Sequence, residues 1–72
     1  MVGEMVTLTG KSKRGKERVE RDGATGWKVR EIQDRISFTD KRGPWFLLDN
    51  GTPKAMRWVH ATDDDHFIIV EL

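Results

Sequence analysis

Six cations fall within one short segment of this chain: Lys11, Lys13, Arg14, Lys16, Arg18 and Arg21, between Gly10 and Gly23. The only large apolar residue among them is Val19. Lysine and arginine at this density can neutralise phosphates, and glycines such as Gly10 and Gly15 let backbone amides approach an anion. Glu17, Glu20 and Asp22 are interleaved with the bases. Glu17 stands four residues before Arg21 and Lys16 four before Glu20, the spacing of ordinary intrahelical ion pairs. The same residues therefore also describe a solvated helix. A second, smaller basic group, Lys41 and Arg42, lies beside Gly43-Pro44-Trp45. Trp45 opens a strand there and is the tryptophan expected to be partly exposed, where an indole can stack on a base. The candidate nucleic-acid contacts are thus Lys11, Lys13, Arg14, Lys16, Arg18, Arg21, Lys41, Arg42 and Trp45.

Other chemistry has less support. Asp63-Asp64-Asp65 is flanked by His60 and His66, and carboxylates with imidazoles suit divalent cations. The run lacks the alternation and the turn glycine of a calcium loop, so it reads as a solvated turn that faces the basic segment. No metal and no cofactor are expected. The chain has no cysteine, and its serines are Ser12 and Ser37. It contains no nucleophile elbow, no zinc-protease helix and no complete phosphate loop: Gly15-Lys16 is followed by Glu17 rather than Ser or Thr. The expectation is a non-enzymatic binding module.

These residues must be positioned by a single small domain, residues 1–72. A chain of this size buries only about 60% of the surface exposed by its unfolded form, so its core depends on large side chains. The three tryptophans and three phenylalanines are the natural suppliers. The net charge of +1 conceals an asymmetry. Residues 1–36 hold nine Lys and Arg against six Asp and Glu, whereas residues 37–72 hold four against six. No apolar stretch approaches the ~20 residues that span a bilayer. Met1 to Met5 lacks the regions of a signal peptide, so a soluble, cytoplasmic protein is expected.

Turn residues recur at short intervals: Gly10, Gly15, Gly23, Gly26, Gly43-Pro44, Asn50-Gly51 and Pro53. Between them lie alternating segments that predict strands. The first is 4–9, with Val6 and Leu8 on one face. The second is 27–33, led by Trp27 and Val29, where Ile32 breaks an alternation that Ile36 and Phe38 restore. A bulge or bend is therefore predicted near Glu31 to Arg35. Trp45 to Leu48 is apolar on both faces and reads as an interior strand. Asn50-Gly51 predicts a primed hairpin turn, with a return strand from about Ala55 to His60 and Pro53 at its edge. The last strand, 67–72, is also two-faced: Ile68, Val70 and Leu72 on one side, Phe67 and Ile69 on the other. It is expected either to close a barrel or to form an interface. Residues 13–22 are a short helix, capped by Ser12 and Gly23, or else a long basic loop. The fold class is mainly β: a small five-stranded SH3-like or OB-like barrel with that helix or loop after the first strand.

The pattern Leu8-Thr9-Gly10-Lys11, Gly15, Arg18-Val19, Gly23, Trp27-x-Val29, then Gly43-Pro44-Trp45 and Arg57-Trp58-Val59, resembles that of small bacterial and phage-borne β domains of SH3-like type. The resemblance covers most of the chain and implies a fold without an activity. The first strand and its turn also resemble the glycine-containing KOW segment of ribosome- and transcription-associated barrels. The insertion between Gly10 and Gly23 departs from the compact KOW turn. Two functions follow as expectations. One is contact with a nucleic acid backbone through 11–21. The other is a protein-interaction or assembly role, of a phage or prophage accessory kind, through the strand 67–72 of a monomer or weak homodimer.

Overall fold

A computed structural model of the chain describes residues 2–36, 40–52 and 55–71. Ser37, Phe38, Pro53 and Leu72, each part of an expectation above, lie outside the described residues. The elements are β1 (Met5–Gly10), α1 (Lys13–Asp22), β2 (Trp27–Gln33), β3 (Trp45–Asp49), β4 (Arg57–His60) and β5 (Phe67–Glu71). The five strands form one antiparallel sheet in the order β4-β3-β2-β1-β5.

Alternation decides what goes inside. Val6 and Leu8, Trp27 and Val29, Leu48, Val59 and Phe67 point to one face and are almost fully buried, together with Ala55. Each large side chain removed from water in this way stabilises the fold by about 1.5–3 kcal/mol. Val19, Phe46 and Ile69 pack against the same cluster. Trp27 is satisfied as well as buried, since its Nε1–H donates to the Gly23 carbonyl at 2.9 Å.

The basic segment is a helix. Ser12 is its N-cap, with Oγ accepting from the Gly15 amide at 3.0 Å. Gly23 ends it at φ 94, a conformation glycine adopts without strain. Gly15, an apparent defect in a helical sequence, is where α1 meets the strands. A Cβ there would lie 1.8 Å from the His66 carbonyl oxygen, and one on Gly10 would lie 2.4 Å from Lys16 Cα. Only hydrogen at both positions allows the helix to seat against the β1–β5 end of the sheet.

The expected closed barrel is not what forms. β4 and β5 are the two edges, and among the described residues no ladder joins them. At the Phe67 end of β5 a side chain, rather than backbone pairing, connects the two edges. The Arg57 guanidinium from β4 lies 5.2 Å from the Phe67 ring centroid on β5, and its Nη2 reaches Asp22 at the helix end at 2.8 Å.

Three smaller expectations are also corrected. The bulge sits between Val29 and Glu31, slightly earlier than predicted. The β3–β4 connection is not a two-residue primed turn. Leu48 pairs with Arg57, the loop between them is long, and Gly51 (φ 92) is left-handed where Asn50 is not. Asp49 and Asn50 shape that loop by accepting from the amides of Gly51 and Thr52. β4 itself starts at Arg57 rather than Ala55.

Candidate functional site

The helix turns Gly15 and Val19 inward, so its cations face solvent. Lys13, Arg14 and Lys16 are exposed, and among the described residues none of them forms an ion pair. Arg18 is half-buried. The other bases are engaged. Arg21 pairs with Asp22 at 3.2 Å. Lys11 Nζ donates to the Asp64 carbonyl at 3.2 Å. Lys41 bonds the Asp65 carboxylate at 2.9 Å and the Asp63 carbonyl. That contact, first of all its hydrogen bond, holds the Asp65 carboxyl below the ordinary carboxylate range and raises the Lys41 ammonium above its own.

Of the expected basic and aromatic group, Lys41 is engaged, the Arg42 side chain is exposed and Trp45 is half-buried as expected. Lys41 turns to the acidic loop. The Arg42 carbonyl bonds His60 Nε2 at 2.5 Å. Trp45 is half-buried, with its ring edge-on to His60 at 5.0 Å and covered by the Arg35 guanidinium at 5.6 Å. Arg35 also stacks on Trp58 at 4.7 Å. Trp45 and Trp58 thus form a second apolar layer on the sheet face opposite Trp27, and neither is an open stacking platform.

The acidic loop has a structural task. Asp64 accepts three backbone amides: His60 at 2.9 Å, His66 at 3.0 Å and Phe67 at 3.1 Å. His66 shares a 2.7 Å hydrogen bond with the capping Ser12. His60 Nδ1 accepts from the amides of Thr62 and Asp63, which makes the Nε2–H tautomer the donor to Arg42. Among the described residues no group of three or more His, Asp or Glu is placed to hold a metal ion.

One ion pair was not evident from the sequence. Asp22 and Arg57 meet with side chains only 16% and 13% exposed. Arg57 also lies over the Trp27 ring at 5.6 Å, and its Nη1 is buried without a partner. Burial pulls this guanidinium below its ordinary value, with Asp22 opposing. The Asp22 carboxyl is lowered, chiefly by its hydrogen bond with Arg21. The nearest signal in the sequence was the shared face of Arg57 and Val59, which places a charge on the core side of β4.

An apolar surface lies along the edge made by β5. Ile68 and Val70 are 49% and 46% exposed, and Met5 on β1 is 43% exposed. They share the outer face, since Thr7 pairs with Val70 and Thr9 with Ile68. The hydrogen-bond phase of the edge is fixed by its neighbours. The Lys11 amide donates to the His66 carbonyl at 2.7 Å, so by alternation Thr9–Ile68 and Thr7–Val70 are the hydrogen-bonded pairs. The Leu8 amide points the other way, to the Ala24 carbonyl. The backbone groups of Phe67, Ile69 and Glu71 therefore face outward. Asp64 takes the Phe67 amide. Among the described residues nothing pairs with the outward donor and acceptor of Ile69 and Glu71. No charged side chain, proline or bulge protects the middle of this edge, contrary to the usual treatment of edge strands.

No protein-family model matches the chain, and no curated protein or solved structure matches it significantly. No helix among the described residues is long and apolar enough to cross a membrane.

Proposed function

We propose that this protein is a non-enzymatic binding module of SH3-like descent that works by adding a partner to its open β5 edge. The observation that carries this reading is the pairing of two half-exposed aliphatic side chains, Ile68 and Val70, with two residues whose outward backbone groups are unpaired. An added strand would satisfy those groups and cover the apolar face together, as in β-strand addition. The test is site-resolved amide hydrogen exchange in dilute solution. The amides of Ile68 and Val70 should be protected by β1, while those of Ile69 and Glu71 exchange near the solvent rate. Protection of Ile69 and Glu71 in the isolated monomer would show the edge already covered and sink the reading.

A second reading has its own support. Lys13, Arg14 and Lys16 are exposed and form no ion pair among the described residues, and Arg18 lies on the same helix. This face would contact a nucleic acid backbone without reading bases. With about four phosphates engaged, log affinity should fall against log salt with a slope near −3 to −4. The engagement of Lys11 and Lys41 by the acidic loop weighs against it, because the positive surface is smaller than the sequence suggests. Anisotropy with short single- and double-stranded oligonucleotides at two salt levels decides the matter. Binding that survives replacement of Lys13, Arg14 and Lys16 by Ala would refute this assignment.

A further inference from the structure

We infer that the strand added to β5 is β5 of a second copy of this chain, paired antiparallel about a two-fold axis at Val70. The inference rests on the edge-addition reading and specifies its partner. An antiparallel hydrogen-bonded pair exchanges two bonds, so each residue needs both its amide and its carbonyl free. Only Ile69 and Glu71 meet that condition, because the Asp64 carboxylate occupies the Phe67 amide. Two residues that lie two apart on one strand match themselves in one antiparallel register: Ile69 opposite Glu71 of the second copy, and Glu71 opposite its Ile69. That register makes four backbone hydrogen bonds. A register centred on Ile69 would instead bring the Glu71 carbonyl of the second copy against the Asp64 carboxylate, acceptor against acceptor.

The side chains agree with this register. Val70 meets Val70 of the second copy on the outer face. Each Ile68 lies alongside on that face, and Met5 continues the apolar surface on β1. Glu71 is the charged residue nearest the axis, on the opposite face from Val70, and it stands diagonal to its own copy rather than directly opposite it. In this register Glu71 lies opposite Ile69 of the second copy, so the two like charges do not face each other directly. The product is a continuous ten-stranded sheet, with both copies of α1 on one side.

The register predicts a cross-link. Val70 and its copy form a non-hydrogen-bonded pair, with Cα atoms about 4.5 Å apart, a separation within the disulfide range. The natural chain has no cysteine to interfere. Under mild oxidation V70C should form a covalent dimer, and I68C, whose two copies lie far apart along the strands, should not. Sedimentation velocity of the unmodified chain, from micromolar to near-millimolar concentration, should show a monomer–dimer equilibrium. V70K places like charges on the axis at an exposed site, so it should keep the monomer's circular dichroism and weaken the dimer at least about tenfold.

A wild-type protein that stays monomeric throughout overturns the inference. So does a dimer that ignores V70K, or one in which I68C cross-links as readily as V70C. Amide exchange separates this failure from that of the underlying reading. In a strict monomer, fast exchange at Ile69 and Glu71 removes the second copy but keeps the open edge, whereas protection there removes both.

Discussion

Replacing Gly15 by alanine tests how α1 is seated. In an isolated helix the change stabilises by about 0.8–1.0 kcal/mol, because glycine is a poor helix former. In this protein the new methyl would lie 1.8 Å from the His66 carbonyl oxygen and 2.8 Å from its carbon. Both atoms belong to backbone, and that backbone is held by Asp64, which accepts the His66 amide, and by Lys11, whose amide donates to the same carbonyl. The clash can be relieved only by lifting the helix N-terminus, which strains the Ser12–His66 bond and withdraws Val19 from the core. Overpacking of this kind costs about 3 kcal/mol at the upper end of its usual range. Set against the propensity gain, the net loss is about 2 kcal/mol. A domain of this size loses roughly 8–16 °C in Tm for that amount. Thermal and urea unfolding followed by tryptophan fluorescence measures it, with Glu20→Ala on the exposed helix face as a control that should change little. A Gly15→Ala variant as stable as the parent, or more so, would refute the close seating of α1.

Asp22→Ala should cost roughly 2–3 kcal/mol in urea unfolding, because it leaves the largely buried Arg57 without its counter-charge. Arg57→Met keeps a stem over Trp27 and Phe67 while removing both the charge and the buried unpartnered Nη1, so it should cost less than half as much. His60→Leu should cost about 2 kcal/mol, since the amides of Thr62 and Asp63 lose their acceptor and the Arg42 carbonyl its donor. Asp22 and Asp65 have carboxyls lowered in the folded state, so their contribution is complete above the unfolded carboxylate value of about 3.9 and is lost as pH falls through the lower folded values. Acid titration of stability should therefore decline below about pH 4, and the decline should be shallower when both are replaced by Asn.

Much of the architecture is legible in local pattern. Period-two alternation at Val6-x-Leu8 and Trp27-x-Val29 already separates core from surface, because successive strand residues must point to opposite faces. Ser12 and Gly23 mark the helix ends by their own backbone chemistry. The site is less legible. An acidic turn facing the basic segment is expected from the sequence, but which cations it takes, Lys11 and Lys41, is not. They are held by a loop more than twenty residues away in each case, a fact set by tertiary proximity. In the sequence Trp58 looks like a core candidate equal to Trp27, and Trp45 like a partly exposed one. Yet β3 and β4 carry them on the opposite face, under Arg35.

By itself the sequence determined a small β-rich chain with a basic segment after its first strand, either a capped helix or a loop, and a last strand apolar on both sides. Those are consequences of residue type and periodicity, which act locally. Only the tertiary structure decided what the two-faced strand and the basic segment are available for. Closure of a sheet depends on whether its two edges pair, and here the Arg57 side chain, held by Asp22, reaches β5 only at Phe67. The β5 edge is left open, with Ile68 and Val70 half exposed. Which charges remain free likewise depends on what folds against them, and the loop around Asp64 takes up some of the cations and leaves the outer face of α1 to the others.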